Sequence, residues 1–148
     1  MGRYYTTNTG RSGKFGFAVQ SSDDPEIFGM EENTGVIHYY MDDSEENLEQ
    51  VEEVMNKQYD ILNIPKEERI YSGEENDLYK LIEKYKDQNW MVYSEERDGK
   101  QIPYHSEEHP EGVIPKQGVI LAECRLYLGL TIMTDLKEQG YCELEAEC

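Results

Sequence analysis

YYMDDSEENLEQVEEVMNKQYDIL, residues 39–62, is the stretch on which the fold of this chain and the character of its surface both turn. Tyr39 and Tyr40 continue an apolar run that starts at Val36 and Ile37, which predicts a strand from Val36 to Met41. The run breaks at Asp42-Asp43-Ser44. Beyond it, Leu48, Val51, Met55 and Leu62 recur at helical spacing, so one face of a helix can pack. The other face carries Glu45, Glu46, Glu49, Glu52, Glu53 and Asp60 against a single lysine, Lys57. Asp43 with Glu46 fits a capping box, and acids in the first turn suit the positive end of the helix dipole. Glu49, Glu52 and Glu53 have no such reason to be acidic. At spacings of three and four they repel one another by roughly a few tenths of a kcal/mol per pair. Such a face either only solvates or meets a positively charged partner. The helix should stop before Pro65.

Working outward, the 148 residues suit one domain, 1–148, with enough chain to bury a core. Fourteen basic residues stand against 32 acidic ones, a formal net charge of −18. Direct binding to nucleic-acid phosphates needs a basic footprint, so this balance argues against it, and against anionic membrane surfaces for the same reason. A mean hydropathy of −0.83 leans towards disorder. Twelve tyrosines, three phenylalanines and a tryptophan lean back towards a packed core, and a folded domain is the expectation. No apolar run reaches the roughly 20 residues of a membrane helix, and the N-terminus lacks a secretory apolar region. Cys124, Cys142 and Cys148 are odd in number and show no metal-ligand pairing, as expected of reduced thiols in a cytoplasmic protein.

Before the central stretch, Phe15, Phe17 and Val19 alternate with Gly16 and Ala18, predicting a first strand. Glu26 to Gly29 suits a short helical turn. After it, Leu78, Leu81, Ile82 and Tyr85 predict a second helix from about Glu74 to Asp87. Trp90–Tyr93 and Gln101–Tyr104 flank Asp98-Gly99 as the arms of a hairpin, with Pro103 making the second arm an edge. His105 to Pro115 reads as a polar loop. Ile120, Leu121, Cys124, Tyr127, Leu128 and Ile132 predict a long core helix from about Lys116 to Glu138, capped by Gly140. Residues 141–148 alternate strictly, a strand with Cys142, Leu144 and Ala146 inward. Together these predict an α+β fold: a small antiparallel sheet of about three to five strands packed on two or three helices.

Catalytic and metal constellations are weak. His105 and His109 with Glu107 and Glu108 could hold zinc only on a helix, and Pro103 and Pro110 bracket them too closely for one. Cys124 could pair with His38 or His105, but a thiol on the apolar face of a core helix is usually inert. Gly10-Arg11-Ser12-Gly13-Lys14 has the composition of a phosphate cradle without its spacing. No enzyme, no cofactor and no metal are expected. Exposed tyrosines beside carboxylates suit an interface as well as ordinary packing.

The acids are left. Besides the helix face, Glu143, Glu145 and Glu147 should project from one face of the last strand about 7 Å apart, and Glu107 and Glu108 add an acidic loop. Rows of carboxylates at this density can imitate a phosphate backbone and occupy a channel lined with lysine and arginine. Gly2-Arg3-Tyr4-Tyr5, then Gly13-Lys14-Phe15-Gly16-Phe17-Ala18-Val19-Gln20-Ser21-Ser22 and Phe28-Gly29, resembles the start of small proteins from phages and mobile elements of Firmicutes. Small acidic proteins of that setting resemble anti-defence inhibitors, anti-CRISPR proteins among them. The resemblance implies an inhibitor that acts in the bacterial cytoplasm on a basic partner, an RNA-guided nuclease above all. Its contact residues would be Glu45, Glu46, Glu49, Glu52, Glu53, Glu107, Glu108, Glu143, Glu145 and Glu147. The other reading is a small-molecule or nucleotide-binding module, a signal sponge, using Arg3, Arg11, Lys14 and the aromatics beside them.

Overall fold

Alternation and helical periodicity in this chain resolve into a sheet and a set of helices around one apolar cluster. The computed structural model describes the backbone of residues 3–7, 15–19, 24–33, 38–92, 94–97, 100–103 and 113–147, and side chains within 25–30, 39–90 and 115–144. In chain order the elements begin with β1 (Arg3–Thr7), β2 (Phe15–Val19), the short α1 (Asp24–Ile27), β3 (Glu31–Asn33) and β4 (His38–Asp42). Next come α2 (Glu45–Ile61), α3 (Glu75–Lys84), α4 (Lys86–Asn89), β5 (Trp90–Val92), β6 (Ser94–Arg97) and β7 (Lys100–Pro103). The chain closes with β8 (Val113–Pro115), α5 (Val119–Gln139) and β9 (Tyr141–Glu147). The class is α+β.

The main sheet has the order β2-β1-β9-β4-β3, antiparallel throughout. The last strand is therefore the central one. Tyr39 sits opposite Leu144 and Met41 opposite Cys142. All four are buried, at 2% exposure or less, so this face of the sheet is the core face. Alternation turns Tyr40 and Tyr141 the other way, where their rings stack at 6.3 Å in the open. Tyr39 therefore goes into the core and Tyr40 out of it.

Helix α5 lies between that face and the other helices. Every residue from Leu128 to Leu136 is buried, whichever way it points, the pattern of a helix enclosed on all sides. Two of its buried threonines bond back within the helix. Thr131 and Thr134 donate to the carbonyls of Tyr127 and Leu130, and Thr134 Oγ1 also accepts from the N–H of Gly73 at 2.9 Å. Gly140 ends the helix at φ 87°, a left-handed cap whose N–H bonds the carbonyl of Leu136.

Helix α2 packs on α5 through Val51, Val54, Met55 and Tyr59. The two helices are close at Gly129. A Cβ built there would lie 2.6 Å from Met55 Cγ and 2.9 Å from Phe28 Cε1. Gly129→Ala should thus destabilise by about 1–2 kcal/mol in urea unfolding, although alanine is the better helix former by about 1 kcal/mol. A variant more stable than the parent would show that the helices can part there at no cost.

The ends of α2 differ from expectation at one side. Ser44, not Asp43, is the N-cap: its Oγ accepts from the N–H of Asn47 at 3.3 Å, while Asp42 Oδ1 accepts from the N–H of Ser44 and the amide of Asn47. At the other end Asn63 takes φ 58°, and the N–H groups of Asn63 and Ile64 close back on the carbonyls of Asp60 and Tyr59. This is a Schellman cap with asparagine in the glycine position. The helix stops before Pro65, as expected.

The second predicted helix is two. Tyr85, at φ −105° and ψ 8°, separates α3 from α4, and the break places Asn89 so that its buried amide donates to the carbonyls of Leu62 and Tyr85. The expected hairpin is also re-partnered. Trp90–Val92 pairs with Val113–Pro115, whereas Ser94–Arg97 pairs with Lys100–Pro103 around positions 98 and 99. Three residues of the expected polar loop are thus strand.

Candidate functional site

Helix α2 carries six acids and one lysine, a net charge of −5 over 17 residues. Glu45, Glu46, Glu49, Glu52 and Glu53 are all exposed, because the face at Val51, Met55 and Tyr59 is consumed by packing on α5. Two of the acids on this helix are answered from within the chain. Glu53 lies 3.8 Å from Lys57, with both side chains about two-thirds exposed, and Asp60 receives Arg69 at 2.7 Å. The Arg69 side chain is 4% exposed and serves the packing of the loop after α2 rather than the surface. Among the described residues, no ion pair answers Glu45, Glu46, Glu49 or Glu52.

The start of this face is held rigid. The N–H of Ser44, together with its hydroxyl and the Asn47 amide, holds the Asp42 carboxyl below its ordinary pKa. Asp42 therefore stays ionised and adds a further negative charge where the acidic face begins. Along the flank of α2, an open groove of about 300 Å³ separates it from the end of α5. Glu45, Glu49 and Glu52 form one rim and Lys137 the other, over apolar Leu48, Tyr71 and Met133. The periodicity of α2 announces its three glutamates. Lys137 stands one turn beyond Met133, a spacing visible in sequence, but its place opposite α2 depends on how the two helices cross.

The other acidic residues fall elsewhere. Glu143 alternates with Cys142 and Leu144 on β9, so it lies on the sheet face turned away from the helices. Positions 145 and 147 share that register face; their side chains are outside those described. With α5 between the sheet and α2, the strand row and the helix row do not make one surface. Glu107 and Glu108 lie outside the described residues, as do His105, His109, Arg11 and Lys14, while Arg3 and His38 are described in backbone only.

The remaining chemistry is muted. Cys124 is half-buried on α5, and Cys142 is buried with Sγ 3.6 Å from Asp135 Oδ2; neither is in a disulfide. Among the described residues no cluster of three histidines, cysteines or carboxylates could hold a metal ion, and no helix is long and apolar enough to cross a membrane. No protein family, curated protein or solved structure matches the chain.

Proposed function

We propose that this chain is an inhibitor carried by a phage or mobile element, which docks through α2 on the basic nucleic-acid-binding surface of a host defence nuclease. An RNA-guided nuclease is the foremost target. The inhibitor would act by imitating nucleic acid, without catalysis. The supporting observation is the charge spacing on α2. From Glu45 to Glu53 the helix rises about 12 Å, so its five exposed glutamates fall about 3 Å apart along the axis. One strand of duplex DNA carries a charge about every 3.4 Å. A lysine- and arginine-lined channel built for phosphates would meet a similar linear charge density here, on a rigid rod. The row around Glu143 is on the far side and is no part of this contact.

The test uses a purified RNA-guided nuclease and the immobilised chain. Retention at low salt should weaken by about tenfold or more at physiological salt, and duplex DNA added as competitor should release the nuclease. A nuclease held equally in the presence of saturating DNA would sink the mimicry reading.

A further inference from the structure

On another part of the helical layer, α3 and the first half of α5 enclose an open groove of about 390 Å³ lined by Glu75, Asn76, Tyr79 and Tyr127. Among the described residues, no lysine or arginine lines it. Tyr79 is 53% exposed, the most exposed of the large apolar and aromatic side chains described, and Tyr127 is half-buried. At three other rings the chain supplies its own cation: Arg69 lies 5.4 Å from the Tyr59 centroid, Lys84 5.5 Å from Tyr85 and Lys86 4.9 Å from Trp90. The groove sets tyrosine rings beside the Glu75 carboxylate, and none of its described lining residues supplies a cation. We infer that this groove binds a small organic ammonium cation, set against the rings of Tyr79 and Tyr127 and neutralised by Glu75. The carboxylate attracts any cation, and the ring quadrupole adds selectivity for one of low hydration. The site is independent of the α2 face and of the inhibitor reading.

A second carboxyl tunes it. Glu123, one helical turn before Tyr127, is pushed up to about 7 by burial first and then by Glu83, with Lys86 pulling the other way. Tyr127 in turn is pushed up to about 12 by burial and by the charges of Glu123 and Glu75, with Tyr79 and Cys124 adding to the shift. The carboxyls of Glu75 and Glu83 on α3 and of Glu123 on α5 thus share one neighbourhood, offset in part by Lys86 on α4. As pH rises through about 7 Glu123 ionises and its carboxylate adds to the field, so cation affinity should rise with pH.

Choline is a suitable probe, titrated by calorimetry and by the tyrosine ring signals in NMR spectra, beside its uncharged tert-butyl isostere and beside magnesium ion at equal charge. Choline should bind about tenfold more tightly than the isostere and move the signals of Tyr79 and Tyr127. Tyr79→Leu, at an exposed position that leaves the fold intact, should weaken it about tenfold. Affinity should gain roughly threefold from about pH 6 to about pH 8, and Glu123→Gln should flatten that profile. Equal binding of the isostere would overturn the proposal. So would displacement of choline by magnesium, or choline affinity unchanged in Tyr79→Leu.

Discussion

Replacing Glu49, Glu52 and Glu53 together by lysine should abolish the proposed inhibition, weakening association with the proposed nuclease target by about 100-fold or more. Three attractive contacts would become repulsive, and like charges facing each other across an interface cost several kcal/mol. The choice of positions matters. Glu45 and Glu46 occupy the first turn, where a lysine would oppose the helix dipole by about 0.3–1 kcal/mol each and confound binding with folding. Glu49, Glu52 and Glu53 are exposed and lie beyond that turn, so their reversal should leave the thermal midpoint within a few degrees of the parent. Association rate and salt dependence should both fall with the affinity, because in the proposed complex the face would act by steering as well as by contact. Glu143→Lys, on the opposite face of the sheet, should inhibit like the parent. If the triple variant inhibits normally, α2 is not the contact surface; if Glu143→Lys alone is inactive, the sheet face is.

Tyr59→Ala should cost about 3–5 kcal/mol, a large share of the total stability of a domain of this size. Tyr59 has no exposed surface. Its ring meets Tyr71 edge-on at 6.0 Å and lies under the Arg69 guanidinium. Its hydroxyl donates to the carbonyl of Ile70 and accepts the N–H of the same residue at 3.1 Å. One side chain thus fastens α2 to the segment that returns from it, and that segment supplies Tyr71 to the groove beside the acidic face. Arg69 completes the fastening by donating to Asn56, Asp60 and the carbonyl of Ile64. Tyr59→Phe keeps the ring and removes only the hydroxyl, so it should cost about 1–2 kcal/mol. Urea unfolding measures both through a lowered midpoint at unchanged slope. A phenylalanine variant as unstable as the alanine one would place the stabilisation in the hydroxyl rather than in packing.

Much of the frame is written locally. The face of α2 that packs and the alternation of β9 are periodicities of 3.6 and 2, set by backbone geometry and hence legible along the chain, as are the apolar run of α5 and the glycine that ends it. Ser44 displaced Asp43 as the cap because either residue type can serve, and only the turn made by Asp42 decides which oxygen faces the N–H of Asn47. The split at Tyr85 has no signal in periodicity, since it answers to Asn89 reaching the end of α2.

The acidic face of α2 was determined by sequence alone, because six carboxylates on the polar side of an amphipathic helix must be exposed whatever the helix packs on. Which acids act together was not. β9 takes the centre of the sheet, Trp90–Val92 chooses Val113–Pro115, and α5 separates the glutamates of the strand from those of the helix. Those outcomes depend on contacts between residues far apart in the chain. Only the tertiary structure could decide them, because strand pairing and helix crossing are selected by the burial of the whole core rather than by any local pattern.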